Sequence, residues 1–360
     1  MVIRPRDRRQ QVLAAAAGLF WQHGFHRVGM SDIAAEFGIG ASALYRHFRG
    51  KEDLLAAVVD ESLDRLEAVL AAAPLDVAGT MLAVSEVVLA RREFGVLWDR
   101  EGWHLSLEHR RAVRRRLRLG VERVALPLAD QGLLRARAIT ALMASVSYHR
   151  YDVTAAELSR IASALIAVPL PLACSPSPLD GPDPQPIVSR REAVLVAASR
   201  LFAARGSSAV SIADIASAAG ITAPSLYNHF ASKQDLLVAA LSRGTEAIWL
   251  SLHNVLRTAA NPSSALTRAL DTYFSFATAN PDLVRLLLAE VLPIEPLDRS
   301  RREYALELSA LLQRARPDLS ADLAGTRVLG AIGIINALTQ VPDLRGRPEI
   351  ATFAHAVLWS

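Results

Sequence analysis

Ser31-Asp-Ile-Ala-Ala-Glu-Phe-Gly-Ile-Gly-Ala-Ser-Ala-Leu-Tyr-Arg-His-Phe-Arg-Gly-Lys-Glu-Asp-Leu-Leu55 is written a second time, 182 residues on, as Ala213-Asp-Ile-Ala-Ser-Ala-Ala-Gly-Ile-Thr-Ala-Pro-Ser-Leu-Tyr-Asn-His-Phe-Ala-Ser-Lys-Gln-Asp-Leu-Leu237. The two align without a gap. The match runs upstream through Arg9/Arg191, Leu13/Leu195, Phe20/Phe202 and Gly24/Gly206. A self-similarity of so long a period marks duplicated domains rather than a solenoid.

Around each copy the apolar residues recur at helical spacing. Val12, Ala15, Ala16, Leu19 and Phe20 share one face of a helix predicted over 8–23. A short helix follows over 30–37, a third over 41–48, and a fourth from Lys51 through Leu70. The second copy predicts helices over 190–205, 212–219, 223–230 and 233–257. Gly38 stands where a left-handed C-cap belongs. Two short helices about a tight turn, braced by a first helix, make a helix-turn-helix.

Ser211, Thr222 and Ser232 occupy the N-cap positions of the second copy, with Asp214 and Asp235 placed for capping boxes. The first copy has Gly29, Gly40 and Gly50 there. Glycine caps cost only a few tenths of a kcal/mol, but three hydroxyls able to touch phosphate are lost. Arg46, Arg49 and an N-terminal arm of Arg4, Arg6, Arg8 and Arg9 could compensate, unless the arm is a solvated terminus.

The rest of the 360 residues also reads as helix, rich in Ala, Leu and Arg, with 51% hydrophobic residues to fill cores. Helices are expected near 76–92, 94–103, 106–126, 133–150 and 155–168, and near 263–279, 281–290, 298–315, 319–340 and 348–358. Residues 169–189 are Pro-rich and read as an extended, semi-rigid linker. The expected organisation is all-α: 1–59 and 190–241 as helix-turn-helix heads, 60–168 and 242–360 as helical bodies.

Cys174 is the only cysteine, so no disulfide framework is possible. The N-terminus has no apolar core before its charges, and the uncharged run 161–179 is broken by four prolines. A cytoplasmic protein without membrane contact is the expectation. No nucleophile with a neighbouring base, paired carboxylate site or Gly-rich phosphate loop stands out, so an enzyme is not expected. Glu101-x-x-His104 could contribute to a bundle metal site, but such sites use two of these motifs. No metal and no cofactor is expected.

Asp-Ile-Ala, Gly-Ile, Leu-Tyr-x-His-Phe and Lys-x-Asp-Leu-Leu, at this spacing and in both copies, resemble the TetR-type family of bacterial transcriptional regulators. The resemblance is specific over 8–59 and 190–241; elsewhere it rests on helical pattern and length. It implies a double-stranded DNA operator as partner. It implies base or backbone contacts from Ala41, Ser42, Ala43, Tyr45 and Arg46, and from Ala223, Pro224, Ser225, Tyr227 and Asn228. Tyr45, His47, Lys51, Tyr227, His229 and Lys233 fall where family members meet phosphates. Ser211 and Thr222 join this set as cap hydroxyls. Arginine favours guanine edges and asparagine adenine, so Arg46 against Asn228 predicts half-sites of different sequence.

Two lysines stand against thirty-eight arginines, and both, Lys51 and Lys233, hold the same repeat position at a helix start. The helix dipole disfavours a cation there, and a phosphate partner would explain it; inheritance from the duplicated ancestor is the alternative.

Family resemblance also implies a small-molecule effector, apolar or amphipathic, that shifts DNA affinity through its differential affinity for two head arrangements. Candidate lining residues are Phe94, Leu97, Trp98, Trp103, Met143 and Tyr148 in the first unit. In the second they are Trp249, Tyr273, Phe274, Phe276, Leu287 and Leu338. Ordinary core is the alternative for each. The basic run Arg110–Arg118 reads either as a solvated face paired with nearby acids or as a seat for an anionic ligand. Family members dimerise through their last two long helices, which here implies an intramolecular pseudo-dimer, with a homodimer of chains as the rival. The competing functional class is a ligand-binding or adaptor protein whose DNA reading has decayed in one or both copies.

Overall fold

The computed structural model describes residues 5–72, 77–128, 130–170, 187–289 and 295–360. Among them all regular secondary structure is helical, and the chain divides into two compact units, 1–167 and 168–360. Most of the linker and Arg4 lie outside the described residues.

The first unit begins with α1 (Pro5–His23), α2 (Met30–Glu36), α3 (Ala41–Tyr45) and α4 (Lys51–Ala72). Its head core gathers Leu13, Phe20, Ile33, Leu44, Phe48, Leu54 and Leu55, all buried. The body adds α5 (Val77–Ala90), α6 (Glu93–Val96), α7 (Leu107–Ala125), α8 (Gly132–Ser145) and α9 (Ala155–Ala167). The second unit repeats the order: α10 (Arg190–Arg205), α11 (Ile212–Ala218), α12 (Ala223–Tyr227), α13 (Lys233–Thr258), α14 (Pro262–Ala279), α15 (Pro281–Ala289), α16 (Glu295–Ala315), α17 (Ala321–Thr339) and α18 (Pro348–Trp359).

Three expected elements differ from this. The recognition helices α3 and α12 are only five residues long, not eight. Beyond Tyr45 the chain keeps coiling in a tightened turn, with His47 and Phe48 N–H both donating to Leu44 O at 2.9 Å, and this brings Phe48 back into the core. The expected helix over 94–103 is α6 followed by a π turn (Leu97–Glu101) and a 3-10 turn (Gly102–His104). The expected basic arm is in part helix, because α1 starts at Pro5, a residue suited to a first turn.

The turn within each helix-turn-helix is a Schellman closure. Ile39 N–H donates to Ala34 O at 2.9 Å and Gly38 N–H to Ala35 O at 3.0 Å. Ile221 and Gly220 repeat these bonds to Ala216 and Ser217 at 3.0 and 3.1 Å. Gly38 (φ 69°) and Gly220 (φ 67°) are left-handed.

The C-terminal helices carry a second duplicated device that motif comparison misses. Arg135 on α8 donates to Leu165 O and Ile166 O at 2.8 and 2.9 Å, closing the free end of α9. Arg327 on α17 donates to Val357 O and Leu358 O at 3.1 and 3.3 Å, closing α18. Donors and acceptors both stand 192 residues apart, against 182 in the heads, so the bodies are copies too, with a net ten residues gained in the second. Ala321–Thr339 is long and apolar enough to cross a membrane, but most of it is buried in the fold and it carries this arginine.

A methyl group on Gly38 or Gly220 would meet no other atom within 4 Å. Gly220→Ala should therefore cost about 1–2 kcal/mol of stability from backbone strain alone. Thermal denaturation of the variant checks this, and Gly38→Ala should behave alike.

Candidate nucleic-acid interface

In both heads the recognition helix buries two anchors four residues apart and turns outward the three residues between them. Leu44 and Phe48 are buried, as are Leu226 and Phe230, while Tyr45, Arg46 and His47, and Tyr227, Asn228 and His229, are exposed. A tyrosine left 57% exposed at position 45 and 54% at position 227 is a large apolar ring presented to solvent twice in the same place. Ser42 and Pro224 are also exposed; Ala41, Ala43, Ala223 and Ser225 are half-buried at the same face.

One guanidinium per head backs this arrangement. Arg9 lies over the Phe48 ring at 5.6 Å and Arg191 over Phe230 at 4.8 Å, holding the second anchor from its outer side. Arg9 thus braces the head, a role the arm reading missed.

In the second head all three expected N-caps form, and of the three Ser211 alone closes a capping box. Ser211 Oγ accepts from Asp214 N at 3.1 Å and donates to Asp214 Oδ2 at 2.6 Å, while Ser211 N donates to Asp214 Oδ2 at 2.9 Å. Thr222 Oγ1 accepts from Ser225 N at 3.3 Å and Ser232 Oγ from Asp235 N at 3.0 Å. The Ser211 hydroxyl is thereby occupied inside the head, and Thr222 keeps an O–H to donate outward. The first head retains the carboxylate half of two of these caps: Gly29 N donates to Asp32 Oδ2 at 2.7 Å and Arg49 N to Asp53 Oδ2 at 3.0 Å. Exposed Arg46 and Arg49 stand where the second head has Asn228 and Ala231.

Both lysine ammonium groups point inward. Lys51 Nζ donates to Phe25 O at 2.6 Å and lies 4.2 Å from that ring's centre. Lys233 Nζ donates to Ser207 O and Val210 O at 2.9 and 3.0 Å.

Head and body meet through different chemistry in the two units. In the first, Arg100 Nη2 donates to Phe20 O and Trp21 O at the end of α1, at 2.7 and 3.0 Å. His104 stacks on Phe25 at 4.3 Å, and Arg150 lies 3.5 Å over Trp21. Glu101 pairs with Arg100 at 2.5 Å, so both members of Glu101-x-x-His104 serve this seam. In the second unit the seam is apolar: Leu286 and Leu287 of α15 complete the head core.

The effector candidates fare differently in the two units. Phe94 and Trp98 pack against the first head core, as does Leu97. Trp103 is exposed beneath Arg110, Tyr148 is exposed with its hydroxyl on Asp99 at 2.5 Å, and Met143 is buried beside Ser85. These six lie in different surroundings, some in the head core, some exposed and one buried in the body. In the second unit Tyr273 neighbours Phe276 and Tyr304 at 6.4 and 6.2 Å, and Trp249 meets Tyr304 edge-on at 5.6 Å. Tyr273 Oη donates to Asn336 Oδ1 at 2.8 Å. Burial pushes the Tyr273 phenol up to about 12 and raises Tyr304 further, so both stay neutral donors. Phe274 is half-buried with no ring partner among the described residues, Leu338 is buried, and Leu287 belongs to the head core. Sequence reasoning missed Tyr304 and Asn336; a lone asparagine inside the apolar run Gly330–Leu338 was the available signal.

The basic run splits. Arg116 is held by Asp60, Asp64 and Glu67 of α4 at 3.3, 2.6 and 2.7 Å, which matches the solvated-face reading for that residue. Arg111, Arg114, Arg115 and Arg118 are exposed on the outer side of α7.

With this geometry in view, the comparisons bear on class. The model of bacterial regulatory proteins of the tetR family matches residues 12–58 and 194–240, the two heads. The chain thus carries two tandem copies of that family's domain. It is similar to the HTH-type transcriptional activator FasR of Mycolicibacterium smegmatis, with 32% identity over 118 residues, 33% of this chain and 54% of FasR. An HTH-type transcriptional regulator of Staphylococcus aureus matches at 41% identity over 59 residues, 16% of this chain and 32% of the relative. The chain thus spans about half the length of FasR and a third of the other. Among solved structures, a TetR-family regulator from Bordetella parapertussis aligns at 22% identity with a TM-score of 0.43, over 48% of this chain and 93% of that one.

His149 gives the first unit a pH dependence from a buried imidazole. It is buried, its Nδ1 accepts from Tyr151 N at 3.3 Å, and burial, with the nearby Arg92 charge, lowers its pKa to about 4. A histidine depressed on folding adds stability that is complete above its ordinary value near 6.5 and is lost as pH falls from there towards 4. The loss should approach ~3 kcal/mol at the acid end. Val341 occupies the matching place in the second unit. Urea denaturation between pH 7 and pH 4.5 should show the first unit weakening, and His149→Val should flatten that dependence.

Proposed function

We propose that the protein is a sequence-specific DNA-binding transcriptional regulator, a repressor whose DNA affinity is changed by a small apolar or amphipathic ligand. One observation carries this reading: both heads independently hold a buried Leu/Phe pair and project the intervening Tyr-x-His from a short helix. Retention of that outward display in both copies favours DNA over an adaptor role. Tyr45, His47, Tyr227 and His229 serve the phosphates, while Ala41, Ser42, Ala43, Arg46, Ala223, Pro224, Ser225 and Asn228 face the groove. Thr222 contributes its free O–H to the backbone. On this reading the protein works in the cytoplasm by binding, not by catalysis.

The two units act as an intramolecular pseudo-dimer through α8, α9, α17 and α18, so that one chain covers two half-sites about 34–36 Å apart. The effector site is best supported in the second unit, where aromatic rings from α13, α14 and α16 surround the Tyr273–Asn336 pair. FasR is by name an activator, so a promoter–reporter assay with and without the protein reads the sign of regulation directly.

Selection of duplexes from a random pool by the intact chain should return an asymmetric site. Guanine should be enriched in the half-site that loses preference in Arg46→Ala, and adenine in the one that loses it in Asn228→Ala. Each loss should be about 1–3 kcal/mol. A perfect palindrome would refute two different readers, and failure to enrich any sequence would remove the DNA reading. Light scattering on the protein–duplex complex should give one chain per site.

A further inference from the structure

The two lysines are the chain's least expected residues, and their geometry is the same in both heads. Each opens the long helix that follows the recognition turn. Each reaches back to the 3-10 turn between the first two helices, Phe25–Arg27 in one head and Ser207–Ala209 in the other. Phe25 and Ser207 are equivalent positions, and the bond to their carbonyl is made 26 residues back in each case. Their side chains share nothing, so what is kept is a bond to backbone. Lys51 adds the Phe25 ring face at 4.2 Å, where Lys233 instead adds a second carbonyl, that of Val210 at 3.0 Å.

Backbone carbonyls pointing at each helix start, one beside a ring face for Lys51 and two for Lys233, explain how a cation is tolerated there. They supply the negative end that the helix dipole denies it. They also explain why this position alone is lysine. Where the chain closes an open helix end it uses the fork of an arginine: Arg100 on α1, Arg135 on α9 and Arg327 on α18. A narrow 3-10 turn suits a compact ammonium on a flexible stem better than a planar guanidinium.

Taking the DNA-binding reading as its basis, we propose that Lys51 and Lys233 are positioning residues. Each bolts the first turn of α4 or α13 to the turn that carries the second helix. The recognition helix hangs between those two points, so the bolt sets the angle at which it meets the groove, without the ammonium pairing with phosphate.

Because these are the chain's only lysines, amine acetylation read by mass spectrometry reports them without mutation. Both should react slowly in the free protein, compared with an unfolded tryptic peptide, and at the same rate when a duplex selected by the wild-type chain is bound. Fast reaction in the free protein with protection by DNA would overturn the proposal. The second arm measures affinity for that duplex against salt for Lys51→Gln and Lys233→Gln, well below their melting temperatures. Affinity should fall about tenfold, the scale of one lost hydrogen bond to a charged group, with the slope of log K against log salt unchanged. A slope reduced by about 0.9 would mark a phosphate contact, and unchanged affinity in a folded variant would mark a purely structural bond; either result overturns the proposal. Arg49→Ala, at an exposed arginine outside the base-reading set, serves as the control that should flatten the slope. If the wild type itself shows no salt-dependent binding, the DNA reading fails, while the acetylation rate in free protein still reports the bolt. If the glutamine variants do not fold, the labelling arm decides alone.

Discussion

A recognition helix of five residues cannot hold its own shape. Helix nucleation is unfavourable, and segments this short are not helical in isolation. In each head it is therefore held from outside, by two inward anchors: Leu44 with Phe48, and Leu226 with Phe230. These fix its rotation about its axis and so decide which three side chains face out. The Schellman turn at Gly38 or Gly220 fixes its approach, and Arg9 or Arg191 presses on the second anchor. Lys51 or Lys233 ties down the helix that follows. The outward display of each head depends on those packing contacts.

The duplication survives in physics where it has faded in sequence. The Arg135 and Arg327 clamps close corresponding helix ends with the same donor, although the surrounding residues share little identity. A charged donor shared by two backbone carbonyls needs only one conserved residue, since any residue supplies a carbonyl. The head–body seam shows the opposite case. One unit uses Arg100, His104 and Arg150; the other uses Leu283, Leu286 and Leu287, with Gly244 close enough that an added methyl would sit 3.0 Å from Leu283. A seam has only to be filled, so it can be refilled with different chemistry, and the route from effector to head need not be the same in the two halves.

Much of this was legible beforehand for identifiable reasons. Apolar periodicity located α1 and α10, and the caps Ser211, Thr222 and Ser232 follow from residue type at fixed offsets, because capping is local. The outward set Tyr45, Arg46 and His47 follows from the positions of Leu44 and Phe48. What sequence could not show was non-local. The bonds Lys51 makes lie 26 residues back, and Arg100 reaches about 80 residues back to α1. The phenol of Tyr273 finds Asn336 from 63 residues away. Aromatic composition alone therefore proposed two effector clusters of equal standing, whereas the ring contacts join Trp249, Tyr273 and Phe276 of the second set through Tyr304. The π turn at Leu97–Glu101 was likewise invisible: it needs the seam residues on either side of it to be in place.

Joining two readers covalently changes what each must supply. In a symmetric dimer of identical chains a substitution in the recognition helix alters both half-sites at once, so the two cannot drift apart. In one chain Arg46 can face Asn228 without that constraint. A tether also makes the second binding event intramolecular, at an effective concentration near millimolar for a short linker whose reach fits the spacing. A head that binds weakly alone is then sufficient. That accounts physically for the asymmetry of the caps. The first head lacks three capping hydroxyls, at a cost of a few tenths of a kcal/mol each, and instead exposes the guanidiniums of Arg46 and Arg49. The second head has hydroxyl caps and a proline in its recognition helix, both of which favour its helix starts. On the reading proposed above, the pair would be a directional reader with a more electrostatic companion, a division that two identical subunits could not hold.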